Sequence, residues 1–170
     1  MELAKLIRDI PDFPIKGILF KDITPLLGNA AAFRYAIDAL AARLRGIPAD
    51  AVVGMESRGF IFAAPLAYTL GLGFVPVRRM GKLPAPSLRV EFQLEYGTNI
   101  FEIHRDAILE GQRVLVVDDV LATGGTVEAT ISLVEQLGGE VAAVAVLIEL
   151  TALGGRRRLQ RHEVISLIQY

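Results

Sequence analysis

Two glycines flanked by threonines form a candidate anion site in the second half of the chain. Thr123, Gly124, Gly125 and Thr126 follow an apolar run and precede a segment with helical periodicity. The first turn of a helix leaves backbone N–H groups unpaired and carries partial positive charge, so it attracts anions. Glycine lets a phosphate approach that backbone closely, and the threonine hydroxyls are further donors. The spacing therefore predicts a phosphate-binding turn.

Two adjacent carboxylates, Asp118 and Asp119, end the same apolar run. Ligands of open α/β sheets bind beyond the carboxyl ends of the strands. Carboxylates accept hydrogen bonds from sugar hydroxyls, and a hard cation such as Mg²⁺ would offset their paired charge. A phosphate beside a diol indicates a ribose 5-phosphate. The alternative, that the aspartates cap a turn which the glycines merely close, is disfavoured because both features follow one strand and open one helix.

The position of the last lysine excludes two other kinds of phosphate site. A P-loop requires Gly-Lys-Ser/Thr, and no lysine occurs after Lys82. A phosphoacceptor receiver domain would need a lysine late in its sheet to pair with the phosphoryl group. Neither class fits this sequence.

Apolar spacing in the first half of the chain predicts the elements that support such a site. Residues 31–45 carry large apolar side chains at spacings of four, three and four, which indicates an amphipathic helix. Residues 51–55 form a short apolar run typical of a buried strand. Ser57 then predicts a cap for a helix over residues 60–70, which Gly71 ends.

The same alternation continues in the second half. Residues 74–77, 113–117 and 141–150 are apolar runs, and residues 125–137 have helical periodicity. Near-continuous β-branched runs separated by helices predict a parallel sheet covered on both faces, in preference to isolated buried helices. The fold class is therefore α/β.

Two segments are interpreted differently. Residues 1–14 are predicted to form a short helix. Residues 80–96 contain Gly81, Pro84 and Pro86 without a sustained period, and long connections of this kind act as lids or binding loops. We interpret this segment as a mobile lid.

Composition limits the possible partners. A chain of 170 residues with 52% hydrophobic residues suits a single domain with one core. The net charge of -1 gives no field that would attract nucleic acid or an anionic membrane. Cysteine is absent, which excludes disulfides and thiolate metal sites. The N-terminus lacks the features of a secretory signal, so we expect a soluble, cytoplasmic protein without nucleic-acid or membrane partners.

These segments together resemble the type I phosphoribosyltransferase family, and its adenine-using members in particular. The resemblance extends over nearly the whole chain. Its motifs are VLVVDDVLATGGT, FPIKGILFKDITPLL, ESRGF, RRMGKLP, LEYG and IELTALGGR. It implies a central, mostly parallel sheet flanked by helices, a small N-terminal hood over residues 1–30 and a flexible lid loop over residues 80–96.

The resemblance also implies which residues hold phosphoribosyl pyrophosphate (PRPP). The ribose hydroxyls meet Asp118 and Asp119. The 5-phosphate is held by Ala122, Thr123, Gly124, Gly125 and Thr126. Pyrophosphate is bound by Glu56, Ser57, Arg58, Gly59, Arg78 and Lys82, and in the family the peptide bond between the first two is often cis. Arg58 and Lys82 are also implied in catalysis through their charge.

The base-binding residues follow from the same resemblance. Phe20 is suited to stack on a purine, with Leu150 on the other face, and the backbone of Leu19 and Lys21 meets the edge of the base. Glu95 matches the acid or base group of the family's lid, and Tyr96 adjoins it. Without the resemblance, Phe20 would be interpreted as a core aromatic and Glu95 as a solvated carboxylate.

The implied activity is purine salvage by a pentosyltransferase. The 5-phosphoribosyl group of PRPP would pass to adenine with Mg²⁺ as cofactor, giving AMP and pyrophosphate. The family implies a homodimer in which Arg78 reaches toward the partner's site. Two alternatives stay open, a relative that uses another purine base and a non-catalytic regulator that binds PRPP. The arginines at positions 156, 157, 158 and 161 are interpreted as a solvated helix face.

Overall fold

One seven-stranded sheet forms the centre of the computed structural model, which describes residues 1–93 and 97–170. The strand order is β5-β6-β4-β3-β7-β8-β9. Its strands are β3 (Ala51–Met55), β4 (Gly73–Arg79), β5 (Ser87–Gln93), β6 (Thr98–His104), β7 (Arg113–Leu121), β8 (Glu140–Glu149) and β9 (Val164–Gln169). The predicted α/β class with a mostly parallel sheet is confirmed.

Five neighbouring strands of this sheet pair in parallel, and β6 and β5 extend the sheet through antiparallel pairing. β3 lies between β4 and β7 with parallel register, and β8 and β9 continue that pattern. β6 pairs antiparallel with both β4 and β5. The carboxyl ends of β3, β7 and β8 therefore meet at one edge of the sheet, where a ligand site is expected.

Helices cover both faces of the sheet. They are α1 (Thr24–Leu27), α2 (Ala30–Leu44), α3 (Arg58–Leu70), α4 (Gly125–Gln136) and α5 (Gly155–Arg158). α2 and α3 pack with Leu115 and Val117 in one buried cluster, whereas α4 packs with Val114 and Val116 in another. Neighbouring residues of β7 thus face opposite clusters, which is why its sequence is apolar throughout.

The helix signals in the sequence have mixed outcomes. The Asn29 side chain caps α2 by accepting a hydrogen bond from the Ala32 N–H, and Gly71 ends α3 with a positive φ of 70°. The predicted cap at Ser57 is wrong. Ser57 occupies the N-cap position of α3 with helical dihedral angles, and its side chain makes no cap hydrogen bond.

The predicted N-terminal helix is also wrong apart from one turn. Leu3–Leu6 forms a 3₁₀ turn, and β1 (Arg8–Pro11) then pairs antiparallel with β2 (Leu19–Asp22). Pro11 and Pro14 cannot donate the hydrogen bonds that a continuing helix requires. Pairing of β1 with β2 therefore overrides the helical tendency of this segment. Its role as a hood stays a prediction.

The interpretation of residues 80–96 as an irregular connection is wrong for residues 87–93. These residues form β5, which pairs with β6 over seven residue pairs from Ser87 and His104 to Gln93 and Thr98. Leu88, Val90 and Phe92 alternate with polar residues, a period of two that indicates a half-buried strand. The lid function stays a prediction, and Leu94, Glu95 and Tyr96 lie outside the described residues.

Among the residues that the structure describes, no helix has both the length and the apolar character needed to cross a membrane.

The close packing of α3 on β3 depends on Gly54, and we predict that a larger residue there destabilises the fold. A Cβ on Gly54 would lie 2.5 Å from the Ala63 Cβ and 2.9 Å from the Phe74 Cε2. Gly54→Ala should therefore lower the free energy of unfolding by about 1–3 kcal/mol through overpacking. Chemical denaturation measures the change. Gly46→Ala is the control, since nothing lies within 4 Å of its added Cβ, and equal losses in both variants would contradict this explanation.

Candidate active site

Two buried carboxylates lie at the end of β7. Asp118 is 8% and Asp119 is 4% exposed. The Asp119 backbone N–H donates to Asp118 Oδ1 at 2.9 Å. The Asp118 side chain lies against Gly59, where an added Cβ would be 2.8 Å from Oδ1. The predicted ribose acceptors therefore sit side by side, directly beneath the start of α3.

Burial raises the pKa of both carboxyl groups. For Asp118, the adjacent charge of Asp119 raises the pKa further. For Asp119, the Arg58 guanidinium opposes the effect of burial but does not cancel it. A carboxyl pair with raised pKa values at the edge of a parallel sheet has the properties of a functional site.

One oxygen of this pair has no hydrogen-bond donor within the described part of the chain. Arg58 Nε lies 2.9 Å from Asp119 Oδ2, but off the line that a hydrogen bond requires. Among residues 1–93 and 97–170, no donor completes that oxygen. An unpaired buried acceptor is costly. The chemistry of this oxygen suits a sugar hydroxyl or a hydrated hard cation such as Mg²⁺.

Arg58 connects this carboxyl pair with the N-terminal strands. Its guanidinium carbon lies 4.8 Å from the centre of the Phe20 ring, within range of a cation–π contact. Phe20 in turn meets Phe13 edge to face with 5.1 Å between ring centres. The predicted base-stacking residue and the predicted ribose acceptors are thus both in contact with one arginine.

The predicted phosphate turn opens α4. Gly124 has a φ of 88° at the N-cap, a conformation that favours glycine, and no side chain of the described residues caps the helix there. Gly124 and Gly125 are buried, whereas Ala122, Thr123 and Thr126 are half-buried. The amides of the first turn are therefore not occupied by a side-chain cap, as a phosphate-binding turn requires.

α5 packs against the backbone of this turn. A Cβ on Gly155 would lie 2.3 Å from the Ala122 carbonyl oxygen, so only glycine allows the observed approach. Arg158 Nη1 lies 3.4 Å from Glu128 Oε2 and 3.5 Å from the position of a Cβ on Gly125. This contact could not be predicted from the sequence, because Arg158 is far from the turn along the chain and only the fold brings the two together.

Arg156 is exposed, as the interpretation of the arginine run expects, but its guanidinium is also paired. Its Nε donates to Glu149 Oε1 at 2.8 Å, its Nη2 to Glu149 Oε2 at 2.5 Å, and its Nη1 to the Val164 carbonyl at 2.8 Å. Ser166 and Gln169 also donate to Glu149. The paired arginine and these hydrogen bonds lower the pKa of Glu149 to about 2. Arg156 thus anchors α5 while its side chain stays partly exposed to solvent.

The predicted pyrophosphate residues form two groups. The Glu56–Ser57 peptide bond is cis. Glu56 Oε1 accepts a hydrogen bond from the Arg79 N–H, and Arg78 Nη2 lies 3.4 Å from Glu56 Oε2. Arg78 Nη1 donates to the Lys82 carbonyl at 3.4 Å. Arg78 therefore joins Glu56 to Lys82, whereas Arg58 and Gly59 lie with the aspartates.

The predicted base residues occupy β2 and the end of β8. Leu19 is exposed, Phe20 is half-buried and Leu150 packs at the margin of the core with its N–H bonded to the Leu121 carbonyl. Lys21 is buried, with Nζ 2.7 Å from Asp9 Oδ1 and 3.6 Å from the Tyr170 ring centre. Its side chain is therefore occupied, and only its backbone suits contact with a base.

The sequence analysis missed a further buried acid, Glu102 of β6. It is 1% exposed and accepts hydrogen bonds from the segment that contains Lys82. The signal was present, because Glu102 is a lone carboxylate between Phe101 and Ile103 at a buried strand position.

Comparison with known families identifies the class of protein. The family model of the phosphoribosyl transferase domain matches residues 26–168. This match includes the carboxyl pair, the glycine turn and all of the parallel sheet except the last residue of β9. The chain belongs to the phosphoribosyltransferase family.

Individual relatives narrow this class. Adenine phosphoribosyltransferase of Chloroflexus aurantiacus is 62% identical, covering 99% of this chain and 98% of that protein. The crystal structure of adenine phosphoribosyltransferase from Thermoanaerobacter pseudethanolicus matches with a TM-score of 0.97 and 58% identity, covering 99% and 98% of the two chains. The Saccharomyces cerevisiae enzyme, complexed with D-2,5-dideoxy-2,5-imino-altritol 1,6-bisphosphate and adenine, has a TM-score of 0.92 and 41% identity, covering 97% and 96%. Within its family, the chain groups with the adenine phosphoribosyltransferases.

The raised pKa of Asp118 predicts a stability cost at neutral pH. A carboxyl group with a folded pKa above its unfolded value of about 3.9 stabilises the fold only when protonated, so this cost grows as pH rises above about 4. Asp118→Asn should raise the melting temperature of the unliganded protein at pH 7.5 by at least about 2 °C. The gain should disappear near pH 4.

Thermal unfolding between pH 4 and 8 measures this effect. Asp106→Asn is the matched control, because Asp106 is exposed and lies outside the site. A lower melting temperature for Asp118→Asn at pH 7.5, or an equal gain in the control, would contradict the assignment of the cost to buried charge.

Proposed function

We propose that this chain transfers the 5-phosphoribosyl group of PRPP to adenine, giving AMP and pyrophosphate. The observation that carries the proposal is the pair of buried aspartates at the end of β7, followed directly by the uncapped glycine turn of α4. This arrangement suits a ligand with a terminal phosphate and a neighbouring diol. The names of the adenine phosphoribosyltransferases that it resembles support adenine as the base.

The 5-phosphate and the ribose occupy adjacent halves of this arrangement. The backbone amides of residues 122–126 and the hydroxyls of Thr123 and Thr126 hold the phosphate. The ribose hydroxyls donate to Asp118 and Asp119, which gives Asp119 Oδ2 a hydrogen bond beside its ion pair with Arg58. This added hydrogen bond favours the ribose over a ligand without hydroxyls.

Positive charge on the other side of the ribose receives the leaving pyrophosphate. Arg58, Arg78 and Lys82 supply that charge, with the backbone around Glu56, Ser57 and Gly59. Bound Mg²⁺ would be held mainly by substrate oxygens and water, with Asp118 and Asp119 nearby, and it would offset the charge of pyrophosphate. Adenine N9 attacks C1 of the ribose from the opposite face as the bond from C1 to the pyrophosphate oxygen breaks, and Glu95 takes the proton that the base loses.

The adenine ring stacks on Phe20, with Leu150 on its other face. The backbone of Leu19 and Lys21 reads the edge of the base. Arg58 connects this pocket to the ribose acceptors through its contacts with Phe20 and Asp119. The position of the base is therefore coupled to the position of the sugar.

Electrostatic stabilisation and positioning supply most of the rate enhancement. An acceleration of about 10⁶-fold requires roughly 8 kcal/mol, whereas general acid or base catalysis contributes about 10²- to 10⁴-fold. Glu95 and Tyr96 of the lid complete the site, and closure over the ribose excludes water. The working enzyme is a cytoplasmic homodimer in which Arg78 faces the partner's site.

Incubation with PRPP, Mg²⁺ and single purine bases tests the function. We expect pyrophosphate release with adenine, and less than about 1% of that rate with hypoxanthine or guanine, because loss of a matched polar contact costs several kcal/mol. Turnover of another base instead would identify a different purine specificity. If the protein binds PRPP but releases no pyrophosphate, the proposal of an enzyme is wrong and the protein is a non-catalytic regulator that binds PRPP.

The proton-transfer role of Glu95 generates a separate prediction. Glu95→Gln should lower kcat by about 10²- to 10⁴-fold with little change in the KM for PRPP, because only the proton-transfer group is lost. Glu91→Gln is the matched control, since Glu91 is an exposed carboxylate of neighbouring β5. Steady-state kinetics measures kcat and the KM for PRPP in both variants. A normal kcat for Glu95→Gln would refute the proton-transfer role of Glu95.

A further inference from the structure

Glu102 is a buried carboxylate with two differently occupied oxygens. Oε1 accepts hydrogen bonds from the Lys82 and Leu83 N–H groups, both at 3.0 Å. Oε2 accepts from Ser87 Oγ at 3.2 Å and Arg89 Nε at 3.1 Å. One acid thus joins the turn at Lys82 to the first residues of β5.

These contacts fix the backbone on both sides of Lys82. Glu102 holds its N–H, and Arg78 Nη1 donates to its carbonyl. Lys82 itself is exposed and follows Gly81, which has a positive φ of 83°. Other backbone-to-backbone hydrogen bonds lie at the two ends of this turn, from the Met80 N–H to the Ile100 carbonyl and from the Arg105 N–H to the Pro86 carbonyl, and Pro84 and Pro86 donate none.

The register of the sheet places Glu102 where its side chain can accept hydrogen bonds from the turn that contains Lys82. In β6 it lies opposite Arg78 of β4 on one side and Arg89 of β5 on the other. Burial raises the pKa of Glu102, but the hydrogen bonds from Leu83, Lys82, Ser87 and Arg89 outweigh burial and lower it overall. The carboxyl group is therefore ionised at neutral pH, and its acceptor strength is constant over the working range.

Sheet pairing alone does not explain a carboxylate at this position. β-pairing of β6 uses backbone groups, and an apolar side chain would fill the same space without the cost of burying a charge. What the carboxylate adds is acceptors for two N–H groups of an exposed turn. Its position is explained by the need to hold that turn in one conformation.

We infer that Glu102 is a positioning residue for the reaction, which holds Lys82 in place to meet the pyrophosphate group. The inference rests on the role of Lys82 in the proposed function. A flexible lysine loses side-chain and backbone entropy on meeting its ligand, whereas a turn that is already fixed loses less. Glu102 contributes to pyrophosphate affinity without touching the ligand.

Three variants separate this role from a structural one. Glu102→Leu fills the buried space and removes both acceptors. Glu102→Gln keeps one oxygen for the Lys82 and Leu83 N–H groups and turns its amide toward Ser87. Ser87→Ala removes a donor only on the other side and is the control.

Titration with Mg-pyrophosphate and steady-state kinetics give the readout. Glu102→Leu should weaken pyrophosphate binding and raise the KM for PRPP by about 10- to 100-fold, with the KM for adenine unchanged. Glu102→Gln should restore most of the affinity, and Ser87→Ala should bind normally. A purely structural role would instead lower the melting temperature and alter both KM values together.

A double-mutant cycle with Lys82→Gln tests whether Glu102 acts through Lys82. Lys82→Gln alone should weaken pyrophosphate binding, and Glu102→Leu should add little in that background. Fully additive losses, or normal affinity of Glu102→Leu, would overturn the inference while leaving the proposed function intact. Normal pyrophosphate affinity of Lys82→Gln would refute the assigned role of Lys82 and the inference with it.

If Glu102→Leu does not fold, Glu102→Asp replaces it. Aspartate keeps the charge and the strand position, but its carboxylate is one methylene shorter and cannot reach both groups of donors. The same selective loss of pyrophosphate affinity is expected, and its absence in a folded Glu102→Asp protein would overturn the inference.

Discussion

The burial of two adjacent carboxylates at the end of β7 is the constraint on which the site depends. Two like charges in a low-dielectric environment are unfavourable unless donors offset them. The described residues offset them only in part, through the Asp119 N–H and the off-line Arg58 guanidinium. Hydroxyl groups of a ligand would therefore stabilise the buried charge of this pair. The acceptor oxygens are already in place and need no reorganisation on binding.

The same sheet edge shows how differently an acid can be used. Three neighbouring strands end in carboxylates that each meet an arginine: Glu56 with Arg78, Asp119 with Arg58, and Glu149 with Arg156. Glu149 receives donors on both oxygens, and its pKa falls to about 2. Burial raises the pKa of Asp119 despite the charge of Arg58, and its Oδ2 has no hydrogen-bond donor among the described residues. Glu149 thus serves as an anchor for α5, whereas Asp119 keeps an acceptor that the proposed function uses for the ribose.

Local sequence predicted the parts of the fold that rest on local rules. The buried runs of β3, β7 and β8 and the helices α2 and α4 have a period that burial imposes, so their positions could be predicted within a few residues. The glycine turn at the start of α4 could be predicted because it lies between an apolar run and a segment with helical periodicity, and its binding of phosphate stays a prediction. The order of β5, β6 and β4 could not be predicted, since antiparallel extension depends on distant pairing.

The misses have a common physical cause. Residues 8–11 form a strand rather than a helix because they pair with residues 19–22 across a chain reversal, which the pattern of residues 8–11 alone does not show. Arg156 pairs with Glu149 because the fold brings their side chains together, which sequence spacing alone does not show. Glu102 was overlooked for the same reason, although a carboxylate between buried residues is itself a signal. The period of two in β5 was visible in the sequence, and two nearby prolines obscured it.

The division of labour between the two parts of the sheet follows from these contacts. The parallel strands hold the aspartates and the glycine turn of α4 against a core that is buried on both faces. Lys82 lies outside that core, in an exposed turn that β6 holds through the side chain of Glu102 and through the Ile100 carbonyl, which accepts a hydrogen bond from the Met80 N–H. In the proposed function, the lysine that meets the leaving group is therefore placed without being buried, which keeps its cost to folding low and its attraction for an anion available.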